Sequence, residues 1–140
     1  FGIEDQGWVA WFIIAALKNC PITIYGNGKQ IRDLLYIDDL LDAYDLAIEN
    51  INQCQGEIFN IGGGIENAIS IWIEFSKILE NLMGGQIRVE HKKWRPGDQK
   101  AYISNISKIK ERLGWTPKIG VEEGIYRLYE WMKENISLFA

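Results

Sequence analysis

Cysteine, histidine and proline are scarce in this 140-residue sequence, which has two, one and three of them respectively. Cys20 and Cys54 are isolated from each other and follow no metal-ligand spacing, and with His91 as the sole imidazole a Cys/His zinc site cannot be assembled. So few cysteines fit a reducing compartment, and with no stretch resembling a signal peptide the expected location is cytoplasmic. Long apolar runs are missing too. The longest, Trp8 to Leu17, is half of the roughly twenty residues that a bilayer crossing needs. Nor is there a basic excess, since 15 Lys and Arg face 19 Asp and Glu for a net charge of -4. Nucleic acid and anionic membrane are therefore poor partners. What is present is 47% hydrophobic and 24% charged side chains, the composition of a folded domain with a real core. The chain opens at Phe1 and meets a helix signal within a few residues, so it is expected to be a piece of something longer.

Strands and helices alternate along the chain. Asp5 is positioned to cap a helix over Trp8 to Leu17 that Pro21 stops; being apolar all round, that helix must be covered on several sides. Ile22 to Tyr25 reads as a strand closed by the Gly26-Asn27-Gly28 turn, with Leu34 to Ile37 as another extended piece. Asp38 or Asp39 then caps a helix to about Asn50 with Leu40, Leu41, Tyr44, Ala47 and Ile48 on one face. Glu57 to Ile61 reads as a strand, Gly62-Gly63-Gly64 as a sharp exit, and Ser70 as the cap of a helix to Leu82. Ile87 to Glu90 is a further strand, Lys92 to Lys100 a loop, Asn105 the cap of a short helix ending at Leu113-Gly114, and Val121 the start of the last helix. This order predicts an α/β class without repeats or an internal linker.

Most candidate chemistry in the sequence has a plainer reading. The triple glycine follows a strand, but G-x-G-x-x-G spacing fails at Asn67 and its neighbours and no P-loop lysine follows, which favours a structural turn. The spacings Tyr25 to Lys29 and Tyr129 to Lys133 imitate a catalytic Tyr-x-x-x-Lys, yet glycines break the first and the second lies on an apolar stripe. His91 has no nucleophilic partner at an interpretable distance, and Asp38, Asp39, Asp42 and Asp45 read as a helix cap and a solvated face. Arg32 and Arg95 differ in that each sits in a polar, glycine-bearing segment. A guanidinium is a planar fork of donors matched to phosphate, so the two together can hold a diphosphate, with Asp98 accepting from ribose hydroxyls and Tyr25 a flat wall for a base. Surface ion pairs, Arg32 with Asp33 and Arg95 with Asp98, are the competing reading.

The segments Ile22-Thr23-Ile24-Tyr25-Gly26-Asn27-Gly28-Lys29-Gln30-Ile31-Arg32-Asp33, running on to Asp39, then Phe59-Asn60-Ile61-Gly62-Gly63-Gly64, Arg95-Pro96-Gly97-Asp98 and Leu113-Gly114-Trp115-Thr116-Pro117 occur in a telling order. Together they resemble the C-terminal half of extended short-chain dehydrogenase/reductases that act on nucleotide-diphospho-sugars. Glu4 to Phe12 is similar to a branch of that family that epimerises CDP-sugars. The resemblance implies one nucleotide-sugar-binding domain over residues 1–140, the substrate part of a Rossmann-type enzyme. It implies Thr23 and Tyr25 along the nucleobase, Arg32 and Arg95 on the diphosphate, Asp98 on the ribose and Asn67 close to the ligand. It further implies an NAD-dependent enzyme that transiently oxidises and re-reduces the sugar. The NAD fingerprint, the catalytic Tyr-x-x-x-Lys and its Ser/Thr partner lie in an N-terminal dinucleotide-binding domain that this chain lacks. The 140 residues alone are then expected to bind no NAD and to be inactive. The helix Trp8 to Leu17 and the strand Glu57 to Ile61 are expected to leave apolar surface for the missing part or for another copy. Another nucleotide-sugar epimerase, a 4,6-dehydratase, or a non-catalytic binding domain are the alternatives.

Overall fold

A computed structural model describes residues 7–139, so Asp5, the expected first cap, and Glu4 to Gln6 lie outside the described residues. The elements are helices α1 (Trp8–Leu17), α2 (Ile37–Glu49), α3 (Ile51–Cys54), α4 (Phe75–Met83), α5 (Ser107–Leu113) and α6 (Val121–Glu134), with strands β1 (Ile22–Tyr25), β2 (Ile31–Asp33), β3 (Ala68–Ser70), β4 (Val89–Lys92) and β5 (Ala101–Tyr102). The chain divides into two compact units. The first comprises Phe1–Gln30, Ser70–Lys100 and Ile125–Ala140, the second Ile31–Ile69 and Ala101–Gly124.

In the first unit β1 pairs in parallel with β4, setting Ile22 opposite Val89 and Tyr25 opposite Lys92. Ile22 and Ile24 are fully buried while Thr23 and Tyr25, on the other face, are half-buried, as the two-residue period of a strand requires. Helix α1 buries five consecutive residues, Phe12 to Ala16. Covered on several sides, it matches its all-apolar sequence. Its rings interlock edge to face, Trp8 with Phe75 at 5.0 Å and Phe12 with Trp72 at 5.8 Å. Phe12 to Ala16 are buried together with Phe75, Trp72 and Leu79, whereas Trp8 to Trp11 and Leu17 stay half-buried.

Helix α4 starts later than the sequence suggests. Ser70 belongs to β3, and residues 71–74 form turns before the helix begins. Ser70 still acts as a cap, since its Oγ accepts from the Glu74 amide at 2.9 Å while Glu74 Oε2 accepts from both the Ser70 hydroxyl and amide, at 2.7 and 2.8 Å. Those bonds hold the Glu74 carboxyl below the usual glutamate range. The fourth strand is likewise displaced by two residues, Val89–Lys92 in place of Ile87 to Glu90.

The second unit holds a three-stranded sheet in the order β3-β2-β5, with β2 and β5 parallel and Arg32 opposite Tyr102. The extended piece expected at Leu34 to Ile37 falls instead on Ile31–Asp33, because β5 pairs there; the Leu34 amide donates to Asn67 O at 3.0 Å, and Ile37 already opens α2. Glu57 to Ile61 makes no ladder. Its exposure alternates like a strand, with Ile58 84% exposed, while Phe59 and Ile61 pack against the core of Ala43, Ile109 and Trp115.

Tyr36, not Asp38 or Asp39, is the residue before α2, and neither aspartate caps it. Asp39 lies in the first turn, 2% exposed, and takes the Lys118 amide on Oδ1 at 2.9 Å and the Ile119 amide on Oδ2 at 3.0 Å; its carbonyl accepts from the Trp115 indole at 3.1 Å. Asp39 and Ala43 thus define the inner side of α2. The row Ile37, Leu41, Tyr44 and Ile48 faces outward, each more than half exposed, so much of the expected apolar face is open. Gly114 closes α5 at φ 69° as its position suggests, whereas Ile106, not Asn105, is the residue before α5; Asn105 stands one position further out, its Oδ1 accepting from the Ser107 amide.

Candidate nucleotide site

The site begins where β1 runs out. Gly26 at φ 83° and Gly28 at φ 71° fold the chain back sharply, a conformation that side chains resist. Space is equally decisive at Gly26, where an added Cβ would stand 2.5 Å from Trp94 Cε2. The indole of Trp94 therefore lies directly against the turn. One register position earlier, Tyr25 carries the Arg95 guanidinium over its ring at 3.8 Å and Lys92 Nζ at 5.9 Å. Such a cation stack contributes about 0.5–2 kcal/mol, depending on hydration, and orients the guanidinium before any ligand arrives. The turn that delivers Arg95 is closed by the Asp98 amide donating to Arg95 O at 3.2 Å, with Gly97 at φ 79°.

Gln30 ties these pieces together. It is 1% exposed, and its Nε2 donates to Tyr25 O at 2.6 Å and to Asp98 Oδ2 at 3.1 Å. The first unit therefore assembles an aromatic ring, a stacked guanidinium and an anchored carboxylate from segments about 70 residues apart. Thr23 sits on β1 two residues before Tyr25, on the same face. That combination of cation, hydrogen-bonding carboxylate and ring suits an anionic ligand with hydroxyl groups and a flat base.

Arg32 and Asn67 belong to the second unit. Arg32 is half-buried on β2, its Nη1 donating to Ile31 O at 2.7 Å. Its neighbour Asp33 is engaged elsewhere, since Oδ2 accepts from the amides of Gly64 and Ser104 at 2.9 and 3.1 Å. Asn67 is 8% exposed, its Nδ2 donating to Ile119 O at 3.3 Å, and it lines a cleft of about 560 Å3 together with Gly63, Gly64, Ser104 and Lys110. Lys118, on the rim of that cleft, is bonded to Asp42 at 2.6 Å, which raises its ammonium above the ordinary lysine value.

The triple glycine does not fit a dinucleotide cradle. A Cβ on Gly62 would stand 2.1 Å from Ser104 Oγ, and one on Gly63 2.0 Å from Leu34 O, so the protein's own atoms fill the space that the missing side chains leave. Gly64, at φ 70° and ψ -172°, needs glycine for its backbone alone. Among the described residues no three of His, Cys, Asp and Glu gather as a metal site, and no helix is long and apolar enough to cross a membrane. Gln30 and Trp94 are the site residues that sequence reasoning missed. A polar side chain inside an otherwise alternating strand approach was the available signal for Gln30, whereas Trp94 gave none.

Residues 9–128 match the family described as GDP-mannose 4,6 dehydratase. CDP-paratose 2-epimerase of Salmonella typhi is 38% identical over 136 residues, 94% of this chain and 40% of that protein. Two solved structures are similar. UDP-glucose 4-epimerase of Thermotoga maritima, with UDP-glucose, gives a TM-score of 0.83 at 34% identity, covering 94% of this chain and 40% of the other. UDP-glucuronic acid 4-epimerase of Bacillus cereus, in complex with UDP-glucuronic acid and NAD, gives 0.80 at 32% identity, covering 88% and 38%. The chain spans about 40% of the length of the relatives it matches. The α/β arrangement is that of Rossmann-type nucleotide-sugar epimerases, and the chain belongs to the GDP-mannose 4,6-dehydratase family of extended short-chain dehydrogenase/reductases, whose members include nucleotide-sugar epimerases and 4,6-dehydratases.

Proposed function

We propose that this chain is the nucleotide-diphospho-sugar-binding portion of an NAD-dependent epimerase that interconverts CDP-paratose and CDP-tyvelose. The observation that carries this reading is the guanidinium of Arg95 stacked on Tyr25 beside the anchored Asp98. In it, Thr23 and Tyr25 line the base, Arg95 and Arg32 bind the diphosphate, Asp98 holds the ribose, and Asn67 shapes the approach to the sugar. The choice of CDP is supported by the similarity to the Salmonella typhi protein. The nicotinamide and the acid-base groups belong to the remainder of the polypeptide, so the 140 residues contribute affinity and no turnover. The outward row of Ile37, Leu41, Tyr44 and Ile48 on α2 is the surface that the remainder covers, a role for which four large apolar side chains on one helix face are suited.

Calorimetry on the full-length protein tests the clamp. A hydrogen bond to a charged group is worth about 1.5–3 kcal/mol, so Arg32→Ala and Arg95→Ala should each weaken CDP binding about tenfold to a hundredfold with NAD content unchanged. Unaltered CDP affinity in both variants would reject the assignment. The matched family description favours a second reading, a 4,6-dehydratase acting on another nucleotide-sugar. Titration with CDP-, UDP- and dTDP-sugars separates the two, with CDP preferred at least about tenfold if the first holds.

A further inference from the structure

We infer that Gln30 is the positioning residue that makes this site selective for a nucleotide carrying ribose hydroxyls over its 2′,3′-dideoxy counterpart. The inference rests on the reading that Asp98 holds the ribose, and it adds a group that touches no ligand. Gln30 is 1% exposed, and both partners of its Nε2, the Tyr25 carbonyl and Asp98 Oδ2, are acceptors. The amide orientation is thereby fixed, because the flipped form would set oxygen against oxygen. Its Oε1 is buried without a hydrogen-bond partner. Leaving a buried acceptor unpaired is destabilising, a cost that a methionine or leucine of similar size would avoid. As a filler, then, glutamine is a poor choice here. What it achieves is to join the backbone of the ring-bearing residue to the carboxylate of the turn that delivers Arg95. Asp98, held at Oδ2 by the buried Gln30 amide, keeps one direction relative to the Tyr25 ring. That is preorganisation of a hydrogen-bond acceptor, and its benefit reaches only a ligand that has a hydroxyl to donate. The neighbouring turn reinforces the arrangement, since the Ile71 and Trp72 amides donate to the carbonyls of Gln30 and Gly28 at 2.8 and 3.1 Å.

The experiment compares CDP with 2′,3′-dideoxy-CDP by calorimetry on the full-length protein, its Gln30→Met and Gln30→Glu variants, and Asp98→Ala. Gln30→Met should lose about tenfold in CDP affinity and less than about twofold for the dideoxy ligand. Equal losses for both ligands mean that Gln30 only supports the fold, and no loss for CDP means that Asp98 needs no anchor; either result overturns the inference. Gln30→Glu provides a second route if the methionine variant does not fold. Its carboxylate would face two acceptors, so the preference for CDP should be weak at pH 8 and recover toward pH 5.5 as the new side chain takes a proton and donates, with dideoxy-CDP affinity flat. A CDP preference that does not change with pH also overturns the inference. Asp98→Ala reports on the underlying reading separately: if it leaves the CDP preference intact, the ribose assignment itself fails, whatever the glutamine variants do.

Discussion

Removing the Asp39 carboxylate should uncouple α2 from residues 115–119. Two backbone amides, those of Lys118 and Ile119, end on its two oxygens at 2.9 and 3.0 Å, and the residue is 2% exposed. Each bond to a charged acceptor is worth about 1.5–3 kcal/mol, and a buried amide left without one is not rehydrated freely. Asp39→Ala should therefore destabilise the second unit by about 3–5 kcal/mol, to which the lost negative charge in the first turn of α2 adds about 0.3–1 kcal/mol. Asp39→Asn keeps the size and one acceptor but turns an NH2 group toward a backbone N–H, so about 2 kcal/mol is expected. Against a typical domain stability of about 5–15 kcal/mol, the alanine variant loses a large share. The measurement is the urea midpoint together with hydrogen exchange at the Lys118 and Ile119 amides. Both amides should exchange faster in Asp39→Ala than in the parent, with the asparagine variant between them. A loss below about 1 kcal/mol with unchanged exchange at these two positions would refute the role assigned to the carboxylate.

Gly63→Ala should cost more than the roughly 1–3 kcal/mol usual for overpacking, because its Cβ meets the rigid Leu34 carbonyl at 2.0 Å, and a melting curve within about 2 °C of the parent would contradict this. Glu57, bonded to Arg112 and Lys108, has its carboxyl held below the ordinary glutamate value of 4.5. The folded-state value being depressed, the pair contributes its stability above about pH 4.5 and loses it as the pH falls through the lowered folded value. Glu57→Gln should flatten that limb of the stability profile between pH 5 and 3, and a profile identical to the parent would show that the pair contributes nothing.

How far the sequence could be read depended on whether the signal was local. Helix α1, β1, the Gly26 to Gly28 turn and the glycine end of α5 were all visible, because apolar content, β-branching and left-handed glycines act within a few residues. The second unit was harder. Ile31–Asp33 becomes a strand because Ala101–Tyr102 lies beside it, and a partner 70 residues away leaves no trace in a short polar run. Asp39 looked like a helix cap because only its neighbours in sequence were in view, while the amides it binds come from beyond Trp115. Tyr25, Arg95 and Asp98 were named as candidates from their chemistry, but nothing in the spacing indicated that a buried glutamine amide joins them. The place of Arg32 and Asn67 in the second unit was not legible at all.

The interleaved make-up of the two units bears on how the polypeptide is made. Residues 31–69 leave the ribosome first among the parts of their unit, yet the stretch 101–124 that completes it follows only after 31 residues, 70–100, assigned to the other. Neither half can mature alone during synthesis. Until Ile109 and Trp115 emerge, the core around Ala43 is incomplete, with only Leu35, Leu46, Phe59 and Ile61 at hand, and the nascent chain must be shielded from collapse onto the wrong neighbours. Slowing translation before residue 101 should thus lower soluble yield more than the same pause placed after residue 124.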